Sequence, residues 1–251
     1  MGGEQDLEFR WRGTRMVYTR SGEGSDAIVL VHGIGMGHRV FRELAEALDP
    51  HATVYAIDLP GFGDSPEPET AHSMGETGEL LAAFVSALGL ADPVLVGHSM
   101  GTEVVVEAVV RHPECSDRIV LIAPTVNRAE RTAGRQALRM MQDLWGEHPK
   151  VLALGIVQYA KAGPRWFVRK LRTMLEHRVE ERYPLVRART LVIRGETDRV
   201  VPREWARFVA ASIPGAELRE VPERGHEAMI RSAVPVAEMI LEFARENLPR
   251  R

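Results

Sequence analysis

Five short runs of almost unbroken apolar character constrain this chain more than any other feature: Ala27–Val31 (AIVLV), Thr53–Ile57 (TVYAI), Pro93–Val96 (PVLV), Ile119–Ile122 (IVLI) and Thr190–Ile193 (TLVI). Runs of this length without alternation belong to strands covered on both faces, and therefore to a parallel sheet with helices above and below. Helical spacing appears between and after them, at Phe41–Leu48, from about Thr77 to Leu88, at Thr102–Arg111, at Arg203–Ala211 and at Val234–Glu246. Glu217–Val221 reads as a final strand. Leu7–Arg12 and Arg15–Thr19 read as an opening hairpin with Gly13-Thr14 at its turn. The fold class is therefore α/β, with a mostly parallel eight-stranded sheet flanked by helices.

One stretch breaks the alternation. From Asn127 to Arg189 the chain carries 14 Lys/Arg against 6 Asp/Glu, a net of +8, whereas the remainder is acidic and the whole is -3. The stretch shows no convincing strand. Its apolar residues recur at helical spacing in three groups, around Leu138–Trp145, Val151–Tyr159 and Trp166–Met174, separated by Gly146, Pro149, Gly163 and Pro164. Residues 127–189 thus read as a helical cap inserted after the sixth strand, and 1–126 with 190–251 as the core domain. Trp145 and Trp166 are candidate lining residues of a cavity beneath it. Its basic face is either solvated or docked on the acidic core; alternatively Arg165, Arg169, Lys170 or Arg172 steers an acidic or carrier-bound substrate.

The remaining composition narrows the partners. The small net charge gives no reason to expect nucleic acid, and no apolar run reaches the roughly 20 residues of a membrane span. Cys115 is the single cysteine, so no intrachain disulfide is possible, and the acidic start of the chain does not read as a secretory signal. A cytoplasmic protein is expected. No His/Cys/Asp/Glu group shows metal-ligand spacing, so no metal or other cofactor is expected.

Chemistry concentrates at Gly97-His98-Ser99-Met100-Gly101, a G-x-S-x-G run between a strand and a helix. The chain must reverse sharply there, which pushes the serine hydroxyl out beside a helix N-terminus. An unactivated serine needs a base and an orienting acid at the ends of neighbouring strands. His226 follows the last strand and Asp198 the strand before it, in the order Ser…Asp…His. Asp58 and Glu196 are rivals for the acid, more simply explained as a loop brace and a solvated turn residue. His32, Gly33 and His98 also fall at strand ends and are candidate contacts to substrate, with His32 read mainly as ordering the following loop and His98 as facing away from the reaction.

These pieces together resemble the α/β-hydrolase superfamily, in the branch with a helical cap. The resemblance runs from Leu7 to about Asn247 and rests on His32-Gly33, Asp58–Ser65, Gly97–Gly101, Gly195–Asp198 and Gly225-His226. It implies a carboxylesterase-like serine hydrolase acting on a small, largely apolar ester, thioester or lactone. It also implies an oxyanion hole from the backbone N–H groups of Ile34 and Met100. A serine at the elbow argues against epoxide hydrolase or haloalkane dehalogenase chemistry. The same triad serves C–C hydrolases, acyltransferases and eliminating enzymes, and the fold also occurs as a non-catalytic ligand receptor. Gly33-Ile-Gly-Met-Gly37 imitates a dinucleotide loop with Asp58 as the ribose acid, but His38 stands where a small residue is required. Glu103, one turn beyond Ser99, departs from the usual small or apolar residue, and a structural hydrogen bond is expected of it.

Overall fold

A computed structural model describes residues 6–135, 138–139 and 163–246. The eight strands are β1 (Leu7–Trp11), β2 (Thr14–Ser21), β3 (Ala27–Val31), β4 (Thr53–Asp58), β5 (Val94–His98), β6 (Arg118–Ile122), β7 (Arg189–Gly195) and β8 (Glu217–Val221). They form one sheet in the order β1-β2-β4-β3-β5-β6-β7-β8. From β4 to β8 every pairing is parallel, and only β2 runs against its neighbours. The five apolar runs are the buried strands β3 to β7, flanked by helices as their lack of alternation requires.

The helices whose bounds lie among the described residues are α1 (Arg42–Leu48), α2 (Met74–Ala87), α3 (Met100–Arg111), α4 (Pro164–Glu176), α5 (Arg203–Ser212), α6 (Ala228–Arg231) and α7 (Ala233–Arg245). The path from β3 through α1 to β4 moves one way along the sheet, and the path from β4 through α2 to β5 moves back. Right-handed crossovers therefore put α1 and α2 on opposite faces. α2 packs on α3, and α1 on α7. The reversal leaves a crevice outside the carboxyl ends of β3 and β5, the position where open α/β sheets gather their ligands.

Several boundaries differ from the sequence reading, each for a local reason. The hairpin turns at Arg12-Gly13 rather than Gly13-Thr14, with φ of 46° and 80°, because two left-handed residues match the twist of the flanking strands. α2 begins three residues early, since Ser73 caps it and Glu76 closes a capping box. The closing helix α7 lies where it was expected, and a short helix that was not, α6, precedes it. Between β6 and β7 the described residues contain α4, helical residues at 133–135 and 138–139, and short 3-10 turns, but no strand. The third apolar group, Trp166–Met174, lies within α4; Trp145 and the second group fall outside the described residues. No helix among the described residues is long and apolar enough to cross a membrane.

Candidate active site

Ser99 is the hinge between β5 and α3, with φ 52° and ψ -119°. For a non-glycine residue that conformation costs about 1–3 kcal/mol, so the surroundings must enforce it. They do so with hydrogen bonds: Ser99 N–H donates to the Ile122 carbonyl at 3.0 Å, and its own carbonyl accepts Thr102 Oγ1 at 2.6 Å. The two glycines of the motif let strand and helix pack without side chains between them. A Cβ on Gly97 would lie 2.5 Å from the Gly101 carbonyl oxygen, and one on Gly101 would lie 2.1 Å from that of Val31. Gly33 lies against the nucleophile, since a Cβ there would approach Ser99 Oγ to 3.5 Å. Ile34 follows it, nearly buried, and Met100 opens α3 with its N–H directed out of the helix start.

Asp198 and His226 leave the ends of β7 and β8 and meet: Asp198 Oδ2 lies 3.0 Å from His226 Nδ1, with both side chains buried. The other carboxylate oxygen accepts the N–H groups of Val200 and Val201, each at 2.8 Å. Arg194, at the end of β7, braces this loop from below. Its guanidinium donates to the carbonyls of Val201 at 2.7 Å, Glu196 at 3.1 Å and Asp198 at 3.0 Å, and to Glu220 Oε1 at 2.7 Å. Arg194 was missed in the sequence, where an arginine at a strand end carries no distinctive signal.

The other histidines take definite places. His32 is fully buried, with Nδ1 donating to the Gly33 carbonyl at 2.7 Å and Nε2 accepting from Leu59 N–H at 2.9 Å. Both ring nitrogens are thereby engaged by backbone, which matches a loop-ordering role and removes His32 as a direct substrate contact; burial lowers its basicity. His98 does not point away from the site, as its sequence position suggested. Its Nε2 donates to the His226 carbonyl at 3.1 Å and its ring lies 5.0 Å from that of His226. Burial, and then the neighbouring His226, hold its pKa well below the ordinary value.

Asp58 is a brace and not a ribose ligand. It accepts His38 N–H and the His38 ring on one side and Asp64 N–H on the other, tying the loop after β3 to the loop after β4. Burial alone would raise this carboxyl, but the bond and charge of His38, together with His32 and the Asp64 N–H, outweigh it and hold the pKa below its ordinary value. His38, Asp58 and Asp64 form a group of ligand-type atoms within 4.8 Å of one another, which sequence spacing did not reveal. Glu103 corrects another expectation. It is fully buried, and neither carboxyl oxygen makes a hydrogen bond to the protein among the described residues. Lys170 is also no surface cation: it is buried and donates to the His72 carbonyl at 2.8 Å and Thr77 Oγ1 at 3.1 Å. Trp166, 2% exposed, seats its indole on Gly61 and its ring against Phe62.

A mostly parallel α/β sheet with a serine at a strained strand-to-helix elbow after β5, and a hydrogen-bonded Asp–His pair on the loops after β7 and β8, defines a class of protein as much as a fold. The chain belongs to the alpha/beta hydrolase family, whose sequence profile matches residues 28–239. It is 25% identical to a 2-hydroxy-6-oxononadienedioate/2-hydroxy-6-oxononatrienedioate hydrolase of Burkholderia vietnamiensis, over 92% of this chain and 91% of that protein. It is likewise 25% identical to a pimeloyl-[acyl-carrier protein] methyl ester esterase of Vibrio cholerae, over 89% and 96%. Among solved structures it resembles an esterase from Exiguobacterium antarcticum, with a TM-score of 0.85 at 17% identity over 96% of this chain and 100% of that one.

Proposed function

We propose that this hydrolase cleaves carboxylic esters, thioesters or lactones through an acyl-enzyme formed on Ser99. The observation that carries the reading is the Asp198–His226 bond of 3.0 Å, in a loop that His98 ties to the nucleophile elbow. With Asp198 accepting Nδ1–H, the neutral imidazole of His226 carries its basic lone pair on Nε2, the nitrogen that takes the Ser99 proton in this reading. The N–H groups of Ile34 and Met100 receive the developing oxyanion; each such donor stabilises the transition state by about 3 kcal/mol. His226 then activates water to release the acid.

Residues 127–189 serve as a cap over this site. Trp166 and Lys170 on α4 support that assignment, because both anchor α4 to the segment after β4. Arg165 and Arg169 are exposed on α4, which suits an acidic or carrier-bound substrate at the cap's outer face, like the substrate named for the Vibrio relative. The Burkholderia relative supports a second reading, C–C bond hydrolysis by the same three side chains.

The test is labelling with a fluorophosphonate probe and turnover of p-nitrophenyl esters of rising chain length. Ser99 labels and short to medium esters are hydrolysed, and Ser99→Ala loses both. Labelling without turnover of any ester would favour the C–C, transfer or elimination readings. Absence of labelling would point to a non-catalytic receptor.

A further inference from the structure

Helix α3 carries two buried carboxyls one turn apart, and the protein surrounds them oppositely. Glu107 is held by two guanidinium groups: it accepts Arg111 Nε at 2.6 Å and Arg182 Nε at 2.7 Å, and the His177 ring Nε2 lies 3.4 Å away. Glu103, the nearer to Ser99, is equally buried but has no hydrogen-bond partner among the described residues at either oxygen. Apart from Glu107, the charges that act on it belong to Arg131, Glu180 and Lys170, all from the segment inserted between β6 and β7. Arg182 and His177 of that segment reach Glu107 one turn along the helix, so the segment packs against this part of α3. Tyr183, from the same segment, has a buried hydroxyl that also lacks a partner, and it is influenced by Glu103 and by the same Arg131–Glu180 ion pair.

Arg182, the residue before Tyr183, bonds Glu107 one turn from Glu103, and two buried polar groups left open in one region are unfavourable unless something completes them. Burial pushes the Glu103 carboxyl well above its usual range, which favours its neutral form, able both to donate and to accept. Tyr183, raised by burial, stays a hydroxyl with the same dual capacity. Neither a cation nor an anion is the natural complement of two neutral groups set among charges of both signs.

We infer that Glu103 and Tyr183 form a specificity subsite for an uncharged oxygen function of the substrate, a hydroxyl or a ketone carbonyl. Glu103 is four residues beyond Ser99, about 6 Å along the helix, which places that oxygen roughly three to five bonds from the scissile carbonyl. The inference rests on the serine-hydrolase reading and adds to it: the preferred acyl group is oxygenated rather than plain alkyl.

The experiment compares kcat/KM for matched p-nitrophenyl esters: butyrate against 3-hydroxybutyrate, and hexanoate against 3-hydroxyhexanoate and 5-oxohexanoate. In the native protein at least one oxygenated ester exceeds its plain partner by about tenfold or more. Glu103→Leu and Tyr183→Phe bring that ratio toward one, while Glu103→Gln, which keeps a donor and an acceptor, preserves most of it. Tyr183→Phe removes a single oxygen and carries the test if Glu103→Leu does not fold. A native ratio near one, or a ratio that survives both variants, overturns the inference and leaves buried water as the complement of the two groups. Fluorophosphonate labelling of Ser99 separates the two levels. Labelling with a ratio near one removes the subsite alone, whereas no labelling and no turnover removes the catalytic reading and this inference with it.

Discussion

His98 donates its Nε2 hydrogen to the carbonyl of His226 at 3.1 Å, with the two rings 5.0 Å apart. Because the acceptor is a carbonyl, the His98 tautomer is set, and the residue just before Ser99 fixes the backbone of the proposed base. His98→Phe keeps the ring and removes the donor. It lowers kcat/KM by about ten- to a hundredfold, the equivalent of about 1–3 kcal/mol for a lost buried hydrogen bond. His98→Gln restores part of the rate through its side-chain amide. Equal rates for the native protein and the Phe variant, at equal stability, would show that the bond positions nothing.

Ser99 sits at φ 52°, a strain that glycine does not feel. Ser99→Gly abolishes fluorophosphonate labelling, yet unfolds in urea with about 1 kcal/mol more stability than Ser99→Ala. A glycine variant less stable than the alanine variant would mean that the elbow is not strained.

Arg194 holds three carbonyls and Glu220 beneath Asp198. Arg194→Met leaves those carbonyls open and costs about 2–4 kcal/mol, with a fall in kcat as the acid loop loosens. Arg194→Lys does not rescue either quantity, since an ammonium cannot reproduce the planar fork. Urea midpoints and kcat measured together check this; full activity in Arg194→Met would remove the bracing role.

Burial lowers the Lys170 ammonium from 10.5 to about 8. Below pH 8 the folded and unfolded chains both keep the proton, and the native state bears the cost of the buried charge. Between about 8 and 10.5 the unfolded chain binds a proton that the folded chain has released. The stability of native protein relative to Lys170→Met therefore rises across that window and levels off above it, by roughly 1–3 kcal/mol. Urea unfolding of both at pH 7, 9 and 10.5 measures the difference, and a decrease with rising pH would contradict it.

Much of this was legible before any coordinates. Strands β3 to β7 announce themselves because burial on both faces leaves little room for polar residues, and the elbow shows because only glycine fits at 97 and 101. The capping box Ser73–Glu76 was equally available in the sequence, but the periodic pattern of α2 begins later and drew attention from it. His98 and Lys170 were misplaced for a different reason. A histidine beside a motif and a lysine in a basic run have the same local sequence whether they face water or the interior.

By itself, the order of residues determined the sheet, the position of Ser99 at its crevice, and the loops that carry Asp198 and His226, because these follow from local periodicity and from where strands end. Only the tertiary structure decided which polar groups are satisfied. Glu107 gained its cations and Glu103 did not, although both stand on one helix a turn apart. Hydrogen bonds at buried sites depend on what chain segments from elsewhere bring within about 3 Å, and no spacing along the chain encodes that distance.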